Sequence, residues 1–490
     1  MICVILTMFL LGCNDFLDNP PLGSLTDVSF PTTQADLVLA VNGVYNTLRI
    51  WNFHEGGYPI MDIMSDDARK GSSPPDQLPT IGPFDNFTFD ASDASFDRWW
   101  RTLYQGVKRT ALVLESAPDI QMDNNLKRSL EAETRFLRAY FYFILTSAWG
   151  DVPKVTAVNP ARNLPRSPKA EIFNEIIAPD LLFAIENLPE KSEYPAGDLG
   201  RATKGAARSL LAKAYLFNGD FANAEKYALE VINSEEYTLD PDFSHTFSVD
   251  GEFGPGSIFE IGAVPENNFD AGGNQYANTM GVRGTPNLGW GFQRPTVDLI
   301  KFFGNDPRMD ATVIFVGEEL SGIAIIGDVN TPDVLLDAAS GDTIELETYN
   351  QKVFVPGSDT RGTWGHNRRV IRYADVLLMA AEALNENDKP SEALIYLNMV
   401  RQRARGDAAD GTLPDITTTE KDALRDIIID ERRRELALEG HRFWDLVRTG
   451  KAPETLGPLG FVEGRHELMP IPQSEIDISE GAITQNPNWE

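Results

Sequence analysis

The chain has 490 residues, of which 42% are hydrophobic and 24% are charged, a composition that excludes disordered and collagen-like proteins. The formal net charge of −30 at pH 7 makes the surface repel phosphate backbones, which disfavours nucleic acid as a partner. Two cysteines and five widely separated histidines supply neither a disulfide framework nor the ligands of a zinc ribbon.

The first thirteen residues are typical of an exported, lipid-anchored protein. Residues 1–12 carry no charge and are about half as long as a membrane-spanning helix, but they match the apolar core of a secretory signal. Leu10-Leu11-Gly12 then precede Cys13, as in a bacterial lipobox. We expect residues 1–12 to be removed and Cys13 to carry acyl chains that hold the protein on a membrane. The alternative is a clipped N-terminus with a chance cysteine.

Helical periodicity dominates both ends of the chain, and the middle has a different character. The apolar spacing predicts helices at 33–49, 96–114, 126–149, 170–188, Lys204–Phe217, 221–233, 370–385, 391–403 and 420–438. Residues 253–295 are rich in Gly, Asn and Pro, and short strands are expected at Ser257–Ile261, 312–316 and 323–326. Residues 51–90 are polar and rich in Pro and Gly, which predicts a long loop.

Two helical segments repeat each other 169 residues apart. The sequence AKAY at 212–215 is followed by Ala224, and AEAL at 381–384 is followed at the same spacing by Ala393. Small residues at these positions let two helices pack closely, as in tetratricopeptide repeats. We therefore expect a helix-pair array that is interrupted by an insertion, although two unrelated helical hairpins would produce the same pattern.

Several short motifs occur in a recognisable order along the chain. They are CNDFLD at 13–18, ETRFLRAY at 133–140, WGDVP at 149–153, VIRYADVLLM at 370–379, EALN at 382–385, ERRREL at 431–436, GHRFWDL at 440–446, LMPIP at 468–472 and QNP at 485–487. In this order they resemble the SusD/RagB family of Bacteroidota outer-membrane lipoproteins. The likeness covers essentially the whole chain after Cys13, and the ending Asn488-Trp489 departs from the usual Gly-Tyr.

The resemblance implies a mainly α-helical fold built on tetratricopeptide-like helix pairs, with inserted loops and short strands on a ligand face. It divides the chain into a signal peptide (1–12), an N-terminal helical region (13–235), a loop-rich insertion (236–367) and a C-terminal helical region (368–490). It also implies a surface-exposed, lipid-anchored position at the outer membrane. The implied partner is a TonB-dependent transporter of the SusC kind, to which the protein would pass oligosaccharide or, less often, peptide.

The first candidate site lies in residues 51–90. Asp66 and Asp67 are adjacent, so their side chains point apart, whereas a glycosidase needs two carboxyl groups opposed across a bond. Together with Arg69 and Trp51 they suit sugar hydroxyls instead, because carboxylates accept, Arg donates and an indole stacks on a pyranose. A solvated loop would have the same composition.

The second candidate site is centred on Trp290. Gly289 and Gly291 leave this indole little neighbouring bulk, so it can stand out as a platform, although a Trp buried under a loop is the alternative. Residues 272–279, just upstream, are rich in amide groups and include Tyr276. Amides and aromatic rings in Gly-rich loops are common in sugar-binding sites.

The leading hypothesis is a non-catalytic glycan-binding lipoprotein without cofactor and without predicted metal-ligand residues, whose sequence leaves Ca²⁺ binding open. The alternatives are a peptide-capturing lid protein and a lipid-anchored hydrolase. The residues expected to converge on one ligand face are Trp51, Asp66, Asp67, Arg69, Tyr276 and Trp290. Full burial of Trp290, or a separation from Trp51 above about 25 Å, a cut-off set by the size of ligand pockets, would contradict this convergence.

The lipid anchor makes a direct prediction. Cys13→Ser removes the thiol that would be acylated, so we expect this variant to appear in the soluble fraction when the cells are fractionated. Cys3→Ser, inside the predicted signal, is the matched control and should leave the protein on the membrane. Membrane retention of the Cys13→Ser protein would refute the anchor.

Overall fold

The computed structural model describes residues 30–489 apart from residues 74, 77–78, 267–271, 332–333, 337–339, 358–363 and 410. Cys13 and the predicted signal lie outside the described residues. In the part of the chain that is described, no helix combines the length and the apolar character needed to cross a bilayer.

The fold is mainly helical, as predicted. The α-helices are α1 (Gln34–Thr47), α2 (Trp51–Ile63), α3 (Gly82–Asp85), α4 (Ala94–Ser116), α5 (Asn124–Trp149), α6 (Lys169–Ile172), α7 (Ala178–Asn187), α8 (Lys204–Phe217), α9 (Phe221–Ile232), α10 (Tyr276–Met280), α11 (Val297–Phe303), α12 (Tyr373–Glu386), α13 (Pro390–Arg405), α14 (Lys421–Leu436), α15 (Arg442–Arg448), α16 (Ala452–Leu456) and α17 (Gln473–Ile478). A π-helical turn, Phe173–Ile177, joins α6 to α7. Short 3-10 helices lie at Ala117–Asp119, Lys191–Glu193, Ala196–Asp198, His245–Phe247, Pro307–Ala311, Gln351–Val353 and Gly457–Leu459.

The strands are short and pair in twos, all antiparallel. They are β1 (Ala68–Lys70), β2 (Val152–Pro153), β3 (Arg166–Ser167), β4 (Ser257–Ile261), β5 (Gln293–Pro295), β6 (Val313–Phe315), β7 (Glu319–Leu320), β8 (Ile323–Ala324), β9 (Val334–Leu336), β10 (Thr343–Leu346), β11 (Thr348–Asn350) and β12 (Arg368–Arg372). The pairs are β1 with β5, β2 with β3, β4 with β12, β6 with β11, β7 with β8 and β9 with β10.

The helices stack in a continuous series. Helices α1 and α2 pack on α4, α4 on α5, α5 on α7, α7 on α8 and α8 on α9. Helix α12 then packs on α9, on its own partner α13 and on α14. The two repeated segments are therefore neighbours in space, although the whole insertion separates them in the sequence.

The close packing of the repeats depends on alanines, as predicted. Ala212 and Ala224 are fully buried where α8 meets α9, and Ala381 and Ala393 are fully buried in the equivalent pair α12 and α13. A methyl side chain keeps the two helix backbones close, so a larger residue at any of these positions would overpack the contact. The helix-pair interpretation of the repeat is thus confirmed.

Two element predictions were wrong. Residues 51–90 are not one long loop, because they contain α2, β1 and α3. The Gly and Pro residues of α2 suggested a loop, but Phe53, Ile60 and Met61 are buried and the helix packs on α4. The predicted helix at 370–385 begins only at Tyr373, since Arg368–Arg372 pairs with β4 as a strand.

Helix α14 carries a set of buried charges that joins the C-terminal helices to the rest of the protein. Arg432 lies between Asp375 and Asp445, at 2.8 and 2.9 Å, and each side chain is at most 5% exposed. Glu435 accepts from Arg308 and Arg372 at 3.0 Å in both cases. Arg432 therefore lies inside the core and is only 1% exposed.

These pairs depend on pH in a defined direction. Burial alone would raise the pKa of Asp375, but Lys213 and Arg432 together lower it well below its ordinary range. Burial likewise opposes ionisation of Asp445, and Arg432 and Arg448 lower the pKa of this carboxyl. Because the folded-state pKa is depressed, both groups stabilise the fold above about pH 4, and this contribution is lost as the pH falls.

Removal of one buried carboxylate should destabilise the fold strongly. Asp445→Asn leaves Arg432 and Arg448 incompletely paired in the core, so we expect the free energy of unfolding at pH 7 to fall by about 3–5 kcal/mol. Denaturant unfolding followed by circular dichroism measures this change. Asp422→Asn is the matched control because Asp422 also pairs with an arginine, Arg425, but its side chain is 91% exposed. The control should lose at most about 1 kcal/mol, and equal losses in the two variants would contradict the account.

Candidate functional site

Trp51 and Trp290 form a pair of indole rings at the surface. Their ring centroids are 4.8 Å apart and their planes are inclined by 44°. Both side chains are partly exposed. Phe292 is buried beside Trp290, with centroids 5.4 Å apart. Trp290 is therefore neither fully buried nor distant from Trp51, and two segments 239 residues apart in the sequence meet at one aromatic surface, which we call the indole pair.

Backbone hydrogen bonds hold the Trp290 segment in place. The N–H groups of Trp290 and Phe292 donate to the carbonyl oxygens of Asn278 and Thr279 at 2.8 and 2.9 Å. On the other side, the N–H of Gly71 donates to the carbonyl of Phe292 at 2.8 Å, continuing the pairing of β1 with β5. The indole of Trp290 is thus carried by a segment that is hydrogen-bonded on both sides.

Gly289 and Gly291 were predicted to leave space around the Trp290 indole, but the structure shows that they are needed by the backbone. A Cβ on Gly289 would lie 2.6 Å from the carbonyl oxygen of Asn278 and 2.6 Å from the Cα of Gly281. Gly291 has a φ of +64°, a backbone conformation that favours glycine. Gly289 lets the backbone approach its neighbours closely, and Gly291 lets it adopt a left-handed conformation. The absence of side chains at these two positions is therefore not the only reason why Trp290 is partly exposed.

Asp66 and Asp67 do not belong to a solvated loop, which corrects the prediction that they face a ligand. Asp66 is 9% exposed and accepts a two-pronged contact from Arg442, at 2.7 and 2.8 Å. Asp67 is fully buried and accepts from Arg433 at 2.7 Å. Burial opposes ionisation of Asp66, but the guanidinium of Arg442 lowers the pKa of this carboxyl below its usual value. These carboxylates bind arginines of the C-terminal helices, so they are not positioned to accept from a sugar.

Tyr276 and the amides around it also lie inside the fold, contrary to the prediction. Tyr276 is 5% exposed, and its ring centroid is 5.8 Å from that of His54, which is fully buried. Burial raises the pKa of the Tyr276 hydroxyl. Asn274 is also fully buried, and its side-chain oxygen accepts from the Tyr276 N–H at 3.0 Å. The amide-rich segment supports the Trp290 segment from below and is not a polar surface.

Arg69 remains a candidate for ligand contact. It is partly exposed on β1, directly opposite Arg294 in the strand pairing. Arg294 pairs with Glu345 at 3.1 Å, whereas the one hydrogen bond found for the Arg69 side chain among the described residues goes to the Ala68 carbonyl at 3.5 Å. The Arg69 guanidinium therefore has donors to spare on the strand that leads to Gly71 and the Trp290 segment.

One residue behind the indole pair was not predicted. Arg283 donates to Asp328 and to Asp76 at 2.6 Å in both cases, and its aliphatic stem lies against Gly291. It thereby ties the Trp290 segment to residues on both sides of it. An isolated arginine in a segment rich in Gly, Asn and Pro is the only sequence signal for this role, and it does not identify the two aspartates.

This surface can bind a ligand by stacking on the two indoles and by hydrogen bonds from Arg69 beside them. Two inclined indoles give an apolar area that can cover the C–H face of a sugar ring or an aromatic or prolyl side chain. Arg69 adds donors that suit hydroxyl or carbonyl oxygens. Asp66 and Asp67, the carboxylates that were expected to complete the site, instead pair with Arg442 and Arg433 inside the protein.

Family models match most of the chain. Residues 255–489 match the model described as "SusD family", and residues 71–216 match the model described as "Starch-binding associating with outer membrane". Among curated proteins, the chain is 29% identical to "SusD-like protein P2" of Formosa agariphila, over 99% of this chain and 98% of that protein. It is 28% identical to a "SusD-like protein" of Bacteroides ovatus, over 89% of this chain and 79% of that protein.

Solved structures give the same result. A "Laminarin binding SusD-like protein" is 28% identical, with a TM-score of 0.77 over 94% of this chain and 100% of the other. "Surface glycan-binding protein A" from Bacteroides thetaiotaomicron, solved in complex with laminarihexaose, is 25% identical, with a TM-score of 0.75 over 93% of this chain and 100% of the other. The resemblance found in the sequence motifs is thereby confirmed, and the chain belongs to the SusD family.

Proposed function

We propose that this protein is a surface lipoprotein that captures an oligosaccharide on the indole pair and delivers it to a SusC-like TonB-dependent transporter in the outer membrane. The observation that carries the proposal is the contact of Trp51 with Trp290, two partly exposed indoles from distant segments. The exposed part of two large rings adds no burial to the core, whereas a carbohydrate site gains stacking area from it.

The choice of ligand follows from the relatives. Two similar structures are named for laminarin binding or for a complex with laminarihexaose. Laminarihexaose is therefore the first ligand to test on this chain. The peptide alternative uses the same aromatic surface, so a panel of peptides belongs in the same experiment.

The protein is proposed to bind without catalysis. Asp66 and Asp67, the carboxylates that were considered for hydrolysis, are each held by an arginine in the interior. Arg442 lowers the pKa of Asp66, which makes this carboxyl a poor proton donor, and Asp67 is fully buried, out of reach of a ligand. Incubation with laminarin should therefore produce no new reducing ends.

Loss of either indole should weaken oligosaccharide binding. Trp290→Ala removes half of the stacking surface but leaves the hydrogen-bonded backbone of its segment, so we expect the free energy of laminarihexaose binding to weaken by about 1–3 kcal/mol. Trp51→Ala should give a loss of similar size because both rings belong to one surface. Isothermal titration calorimetry measures both values.

Trp444→Ala is the control for removal of a partly exposed indole elsewhere, since Trp444 packs on Phe443 and contacts neither ring of the pair. It should bind as the wild type does. Unchanged affinity in both Trp51→Ala and Trp290→Ala would place the ligand elsewhere, and tight binding of peptides with no binding of sugars would favour the peptide alternative.

The position of Trp290 should matter as much as its presence. In Gly289→Ala the new methyl group meets backbone atoms at 2.6 Å, so the segment that carries Trp290 must move. We expect a loss of laminarihexaose affinity close to that of Trp290→Ala, with a changed tryptophan fluorescence spectrum. Gly43→Ala is the control because a Cβ there meets nothing within 4 Å. Full affinity in Gly289→Ala would show that binding does not depend on the arrangement of the two rings.

A further inference from the structure

A polar cleft lies next to the indole pair. It encloses about 370 Å³ between the C-terminal half of α1, residues 197–201 and the end of β4. Its polar side chains include Asn42, Asn46, Arg49, Asp198 and Arg201. The volume is within the range of small-ligand sites.

Arg49 is the unusual member of this lining. Burial lowers the pKa of its guanidinium, so the group is partly desolvated. Among the described residues it donates one hydrogen bond, to the side-chain oxygen of Asn46 at 2.6 Å, and forms no ion pair with a carboxylate. The other N–H groups of this guanidinium are open to the cleft, where a bound molecule can accept from them.

The other charges of the cleft are already paired. Arg201 donates to Glu133 at 2.9 Å and to Asp198 at 3.0 Å, and its second terminal nitrogen donates to the side-chain oxygen of Asn42 at 3.0 Å. Glu260 accepts from the Phe253 N–H and from the Asn367 amide. The unused hydrogen-bonding capacity therefore lies in donors, namely the guanidinium of Arg49 and the amide nitrogens of Asn42 and Asn46.

These donors are neighbours at the end of α1. Asn42 and Asn46 are four residues apart on one face of the helix, and Arg49, two residues beyond its end, donates back to Asn46. A row of donors with little net charge suits the hydroxyl oxygens of a neutral sugar, since a guanidinium fork can donate to two adjacent hydroxyls at once.

The cleft lies close to the beginning of the helix that carries Trp51. Arg49 precedes Trp51 by two residues, so their Cα atoms are at most about 7.6 Å apart. The Arg49 Nη1 also lies 2.9 Å from the position that a Cβ on Gly272 would take, and Gly272 begins the segment that leads to Trp290. The guanidinium therefore lies close to Gly272, and Arg49 is two residues before the start of α2, which carries Trp51.

We infer that this cleft is a second sugar subsite, in which Arg49, Asn46 and Asn42 donate to the hydroxyls of further units of an oligosaccharide whose first units stack on Trp51 and Trp290. The inference rests on the proposed function and specifies it further. The ligand is then an oligosaccharide long enough to reach from the rings into the cleft, and the protein selects for chain length.

The test compares a long and a short ligand. Isothermal titration calorimetry with laminarihexaose and with laminaritriose is carried out on the wild type and on Arg49→Gln. The hexasaccharide should lose about tenfold in affinity in the variant, the effect of losing a hydrogen bond from a charged donor. The trisaccharide, which the rings alone can hold, should bind the variant as it binds the wild type.

Two further variants make the result decisive. Gly197→Phe fills the cleft from a position where a Cβ meets nothing within 4 Å, and it should reproduce the loss for the long ligand. Arg109→Gln is the control, because Arg109 is also partly desolvated and donates to Gly43 and Thr47 of the same helix, yet it is not part of the cleft lining. It should keep the affinity for both ligands.

Equal losses for the two ligands in Arg49→Gln, or no loss for the hexasaccharide in both Arg49→Gln and Gly197→Phe, would overturn the subsite while leaving the indole pair as a binding site. Failure of the wild type to bind either oligosaccharide would overturn the proposed function and the subsite together.

Discussion

The candidate site depends on buried ion pairs that do not themselves face the indoles. Arg433 on α14 and Arg442 on α15 bind Asp67 and Asp66, which follow directly after α2. Trp51 is the first residue of α2, and β1, which follows Asp67, pairs with the strand that comes after Trp290. The arginines of the C-terminal helices therefore determine where both chain segments of the indole pair lie. Such pairs carry a desolvation cost, so they specify one arrangement more than they add stability.

The remaining contacts of the site make it rigid before any ligand arrives. The Trp290 segment donates backbone hydrogen bonds to the segment behind it and accepts one from Gly71 in front. Arg283 adds side-chain contacts to Asp76 and Asp328 on both sides. Ordering of a mobile segment on binding would cost free energy that a weak sugar contact cannot recover. A preformed surface suits a ligand whose hydroxyls must each give up hydrogen bonds to water.

Local sequence patterns were sufficient to predict the helical scaffold. Apolar spacing predicted most of the helices to within a few residues, since each buries one face on its neighbours. The repeat around Ala224 and Ala393 predicted that two distant helix pairs share one kind of packing. Helix α2 was missed because its Gly and Pro residues weaken the local helical signal, and only its packing on α4 explains why it forms.

The site was predicted in part, for a reason that particular residues make clear. Trp51 and Trp290 were predicted to share one face because both lie in Gly-rich segments outside the predicted helices, where an indole can act as a stacking platform. The residues around Asp67 in the sequence are of the kinds that surround a sugar-binding carboxylate. Its partner Arg433 lies 366 residues away, so no local pattern could reveal the ion pair. Arg49 was missed for the converse reason, since its significance lies in the absence of a carboxylate partner among the described residues.

The central claim is that Trp51 and Trp290 act together as the sugar-stacking surface of this SusD-family protein. A crystal structure of the protein grown with laminarihexaose tests it most directly. The account predicts a pyranose ring against the indole pair, with carbon atoms of the sugar within about 4 Å of the rings. Sugar density at another place on the protein, with both indoles uncovered, would contradict it.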